Sequence, residues 1–187
     1  MIYRTVYGPG SDANLTLALE KIKQHIINMV SYEIWSATQR NTTIDSTPVQ
    51  QIVDTYQPEI RQGSEFDQAS DATIRAHFNA SINELEQNMD NDTSAFNHFV
   101  DGGYVAGCIV LDEESLQSVI NSPDPVPGFL YPDNVEIGEF KMLDRVHTSA
   151  RMMCDQVWYL YDHLMRDRKL VDYTRFDKKR NLVVFKY

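Results

Sequence analysis

The chain has 187 residues, with 17 Lys and Arg against 27 Asp and Glu for a net charge of −10, and 42% of its residues are hydrophobic. That balance is ordinary for one folded domain and excludes wholesale disorder, a repeat array and a disulfide scaffold. Only Cys108 and Cys154 are present, no apolar stretch approaches the ~18 residues of a membrane span, and Met1-Ile2-Tyr3-Arg4 lacks the features of a secretory leader, so a reducing, cytoplasmic setting is expected.

Residues 2–7 form a β-branched and aromatic run stopped by Gly8-Pro9-Gly10, which predicts an opening strand and a turn. Ser11 or Asp12 then caps a helix reaching about Trp35, with Leu15, Leu19, Ile22, Ile26 and Met29 along one face. A polar loop over 41–47 leads to a short helix over 49–56, and 62–70 reads as an exposed connection. Ser70 or Asp71 caps a second long helix, striped by Ile74, Phe78, Ile82, Leu85 and Met89. Residues 95–100, the turn Asp101-Gly102-Gly103 and residues 104–111 predict a β-hairpin whose second strand is apolar enough to be central. A short helix over 113–120 and an irregular stretch with Pro123, Pro125, Pro127 and Pro132 follow. Residues 135–143 read as a strand, with Gly138 as a candidate bulge. A helix is expected over 148–168, striped by Ala150, Met153, Val157, Leu160 and Leu164. The chain closes on a second hairpin, 170–176 with 182–187. The expected fold is α+β: a mixed, mostly antiparallel sheet packed by about three main helices, with a C-terminal β-hairpin.

Charge is unevenly placed. Residues 1–140 carry six basic and 21 acidic side chains, a balance of −15, whereas 141–187 carry 11 basic and six acidic, a balance of +5. We expect one domain over 1–187, divided into an acidic body (1–140) and a basic helix plus hairpin (141–187). An acidic body repels polyphosphate and disfavours direct nucleic-acid binding. The basic residues cluster at Lys178, Lys179 and Arg180, which suit a charged hairpin tip and, as the candidate interaction residues, an acidic partner.

Catalytic spacing is missing. None of His25, His77, His98, His147 and His163 forms a His-x-x-x-His pair, and the cysteines form no Cys-x-x-Cys, so no metal site is expected. Asp90-Asn91-Asp92 resembles part of a calcium loop, without its glycine and closing glutamate. There is no Gly-x-Ser-x-Gly elbow and no Walker-type loop. Cys108 reads as a buried small hydrophobe, and Cys154 has no activating base in its mid-helix setting. The pairs Glu84/Glu86 and Glu113/Glu114 read as solvated faces or helix-start charges. His147-Thr148-Ser149 looks like half of a two-histidine phosphoesterase motif, but no second half exists. Thr148 and Ser149 therefore read as helix caps, a position that also attracts anions.

The order of elements resembles the GNAT family of N-acetyltransferases. The resemblance is carried by Tyr3-Arg4 before a helix, by Phe99-Val-Asp-Gly-Gly-Tyr-Val-Ala-Gly-Cys-Ile-Val-Leu111 as the central hairpin, and by Arg145-Val-His-Thr-Ser-Ala150 as the pyrophosphate loop. It implies that Arg145, His147, Thr148, Ser149 and Ala150 hold acetyl-CoA, with Glu136 or Glu139 near the base position. Thr148 stands where the family has a glycine, and its Cβ narrows the approach to the pyrophosphate.

Two classes of function result, with a third in reserve. The first is a non-catalytic interaction or assembly protein, of the kind that small phage or viral accessory and virion components provide. It needs no cofactor and contacts protein partners or copies of itself, in the host-cell cytoplasm or within a virion. The alternative is a GNAT-type acyltransferase using acetyl-CoA. The third is an acidic inhibitor of a nucleic-acid-binding enzyme.

Overall fold

The structure, a computed structural model, describes residues 1–39, 47, 50, 54, 57–88, 107–125, 137–145, 149–157, 174–178 and 182–185. Strand β1 (Ile2–Arg4) leads through a glycine-rich turn into α1 (Ser11–Thr38). β2 (Ile60–Arg61) and a 3-10 turn (Ser64–Phe66) precede α2 (Asp71–Asn88), and β3 (Gly107–Leu111) runs directly into α3 (Glu113–Asn121). β4 (Glu139–Asp144), β5 (Ser149–Met153), β6 (Thr174–Asp177) and β7 (Leu182–Phe185) complete the described elements. Their strands make one mixed sheet in the order β2-β1-β3-β4-β5-β7-β6, antiparallel through β3, β4 and β5. The fold is α+β as expected, and β6 and β7 pair as the C-terminal hairpin.

Alternation along the strands supplies both faces of the core. On one face Ile2, Ile109, Leu111, Phe140, Met142 and Met152 meet α1 through Leu15, Ala18, Ile22 and Ile26, and α3 through Leu116 and Val119. On the other, Tyr3, Cys108, Val110 and Leu143 meet Ile74, Phe78 and Ile82 of α2. β1 pairs in parallel with both β2 and β3, so the chain steps off β1 one way and returns across it. Right-handed crossovers in opposite directions put their helices on opposite faces, as found for α1 and α2.

Side chains fasten α3 to its neighbours. Asp112 caps its N-terminus, accepting from the Ser115 N–H at 2.8 Å. At its C-terminus the Lys21 ammonium of α1 donates to the carbonyls of Ile120 and Ser122. At the end of β3, serines of α3 serve β4: the Glu139 N–H donates to Ser118 Oγ and the Lys141 N–H to Ser115 Oγ. A Cβ on Gly138 would lie 2.6 Å from Val119 Cα, so this glycine permits the close approach of α3 to β4.

Several sequence expectations are corrected. The helix expected over 148–168 begins instead as β5, paired with β4 from Leu143↔Ser149 to Glu139↔Met153. Within β5, Ala150 and Met152 are buried while Ser149, Arg151 and Met153 are less so, which is strand alternation. A 3-10 turn, Cys154–Gln156, follows, so Cys154 is not mid-helix. The second strand of the expected 95–111 hairpin is central, but its neighbours at Ile109 and Val110 are β1 and β4. Its first strand and turn lie outside the described residues. The connection over 62–70 is not wholly exposed, because Phe66 is buried under α2. In the predicted helix over 49–56, the described residues Gln50 and Asp54 are helical.

Candidate functional site

Arg145, first of the residues implied by the GNAT resemblance, follows β4 and turns onto α2. Its guanidinium donates to Asn79 Oδ1 (3.3 Å), Asn83 Oδ1 (3.1 Å) and Glu86 Oε1 (3.2 Å), and its carbonyl accepts from Asn79. Ser149 and Ala150 open β5 rather than a helix, and Ala150 is buried in the core. The reading of Ser149 as a helix cap is therefore corrected. His147, Thr148 and Glu136 lie outside the described residues, and Glu139 is the first residue of β4.

The described cations of the basic segment divide into two groups. Lys141 meets Asp71 at 2.7 Å and Asp112 at 3.4 Å, and Arg151 meets Asp112 at 3.4 Å, Ser115 Oγ at 2.8 Å and the Glu114 carboxylate. With Arg145 on Glu86, three cations of the basic segment pair with four carboxylates of the acidic body within one chain. Burial pushes the Asp112 carboxyl up, but the Ser115 hydroxyl and N–H and the two cations outweigh it and hold the group below the usual carboxylate range. By contrast, Arg175 of β6 and Lys178 at the hairpin turn are exposed. Lys179 and Arg180 lie outside the described residues.

Near the opposite edge of the sheet, beside β1 and β2, is a cleft of about 510 Å³ lined by Arg4, Tyr7, Asp12, Leu15, Thr16, Gln62 and Gly63. Arg4 is only 5% exposed. It donates from Nε to the Val6 carbonyl (2.8 Å) and from Nη2 to Ser11 Oγ (2.7 Å), and lies 4.4 Å from the Tyr7 ring centre. Its carboxylate partner is Asp12, at 2.5 Å with a side chain 91% exposed. Tyr7 holds the walls together, donating to the Arg4 carbonyl and accepting from the Gly63 N–H. Sequence reasoning missed this site. The available signal was an arginine inside an apolar opening strand, eight residues before an acid at a helix start.

Other reactive side chains are muted by burial. The Cys108 thiol is pushed up to about 12 and that of Cys154 is raised too, so neither is a ready nucleophile. Burial also raises Tyr3, whose hydroxyl shares a 2.9 Å hydrogen bond with His77 Nδ1. His25 is fully buried and lowered to about 4, so it is neutral at neutral pH. Among the described residues no cluster of His, Cys, Asp and Glu could hold a metal ion, and no helix is long and apolar enough to cross a membrane. In comparison with known proteins, no family model, no curated protein and no solved structure matches this chain.

Proposed function

We propose that this chain is a non-catalytic interaction and assembly module that uses its basic C-terminal hairpin to contact an acidic protein surface, the acidic body of a second copy foremost. One contrast carries the reading. Lys141, Arg145 and Arg151 are engaged with internal carboxylates, whereas Arg175 and Lys178 are exposed on the outer hairpin of the described sheet. Cations on an outer strand discourage indiscriminate strand pairing and favour an acidic partner. The body of the same chain, at −15 over 1–140, offers such a surface.

Light scattering on the purified chain tests this at low and high salt. Assembly is expected at low salt, with dissociation as salt screens the contact. The double variant Arg175→Glu, Lys178→Glu is expected to remain monomeric at low salt while keeping the wild-type circular dichroism. A mass that responds neither to salt nor to charge reversal overturns the proposal.

A further inference from the structure

We infer that the cleft around Arg4 is a binding site for a small oxyanion, a carboxylate or phosphate carried on a compact apolar or aromatic body. The argument begins with the placement of charge. A guanidinium withdrawn from water needs an anion that is withdrawn with it, because a solvated counter-charge is screened. Arg4 is 5% exposed, yet the carboxylate it meets, Asp12, is 91% exposed. The pair is therefore asymmetric: the cation forms part of the cleft wall and the anion stands at its rim. An oxyanion entering the cleft replaces Asp12 with a partner that shares the buried setting of Arg4. Guanidinium also favours the paired oxygens of carboxylate or phosphate.

The remaining lining suits the body of such a ligand. Tyr7 and buried Leu15 offer aromatic and aliphatic surface, and Gln62 and Thr16 offer polar groups at the mouth. A volume of about 510 Å³ accommodates a small organic molecule. The net charge of −10 opposes approach by a polyanion, which favours a ligand with one anionic group over a nucleic acid. The Arg4 guanidinium is already fixed by Val6 and Ser11, and the exposed Asp12 is the anion that a ligand would displace.

Calorimetry and thermal melting with phenyl phosphate, benzoate and inorganic phosphate test the site, with benzyl alcohol as the uncharged control. Phenyl phosphate or benzoate is expected to bind saturably and to raise the melting temperature, with inorganic phosphate weaker and benzyl alcohol silent. Asp12→Asn removes the competing carboxylate and is expected to tighten binding about two- to fivefold, the equivalent of an exposed ion pair. Arg4→Lys, if folded, is expected to abolish it. The inference is overturned if neither the wild type nor Asp12→Asn binds any of the anions. It is also overturned if binding occurs but Asp12→Asn leaves it unchanged or weakens it.

Discussion

Lys141 on β4 and Arg151 on β5 face each other as cross-strand partners, and one carboxylate, Asp112, bonds both. Two cations directly opposite on adjacent strands repel each other. The N-cap of α3 eases the conflict by bridging the two cations, with Asp71 on Lys141 and Glu114 on Arg151 completing the balance, so one side chain both starts the helix and ties the two strands together.

Asp112→Asn keeps a capping oxygen and loses the charge, and is expected to cost about 1 kcal/mol. Asp112→Ala loses both and is expected to cost about 2–3 kcal/mol. Urea titration at neutral pH measures the difference. Because the folded carboxyl is held below its unfolded value, the charge-dependent part of this stability is present above that value and disappears as pH falls through the folded pKa. Equal losses in the two variants would show that Asp112 acts only as a cap.

Phe78 is fully buried between α2 and the sheet. Phe78→Ala is expected to destabilise the fold by about 3–5 kcal/mol, the range for deleting a large core side chain. Chemical denaturation reads it directly. A loss below about 1 kcal/mol, within the range of surface substitutions, would contradict this packing.

Buried His25 and half-buried Asp155 give opposite pH dependences. His25 is lowered to about 4 by burial and, secondarily, by Lys21. Its contribution is fully present above about 6.5 and is lost as pH falls from there toward the folded value, by up to about 3 kcal/mol. Burial raises Asp155 to about 6, so ionising it opposes folding as pH climbs from about 4. Asp155→Asn is therefore expected to stabilise the protein above pH 6, by about 1–2 kcal/mol after allowance for partial solvent screening, and to lose that advantage near pH 4. His25→Leu is expected to flatten the opposite slope. Stability measured across this interval checks both signs.

Acetyl-CoA is expected to bind weakly or not at all. A pyrophosphate cradle needs consecutive free N–H groups at a helix start. Ser149 and Ala150 are instead paired to β4, and Arg145 is committed to Asn79, Asn83 and Glu86. Arg145→Ala is expected to appear as a stability loss of about 1 kcal/mol, since its ion pair is partly exposed. Calorimetry showing micromolar acetyl-CoA binding that Arg145→Ala removes would restore the acyltransferase reading.

The two long described helices, α1 and α2, were legible because each carries its own answer. Leu15, Ile22 and Ile26, then Ile74, Phe78 and Ile82, repeat at helical spacing and bury that face whatever lies opposite. Residues 107–111 were legible as a central strand for the same reason, since an unbroken apolar run requires cover on both sides. Residues 149–157 were not legible. Ala150, Met153 and Val157 fit a helix, Ala150, Met152 and Cys154 fit a strand, and alanine and methionine favour helix locally. Pairing with Phe140 and Met142 on β4 decided between them, and that partner is invisible to a local pattern. Charge was divided in the same way. Composition alone established an acidic body and a basic end, but which cations remain exposed depended on the carboxylates that folding brought within reach. An ion pair is set by distance in space, and the chain order of Asp71, Asp112, Lys141 and Arg151 does not encode that distance until the sheet has formed.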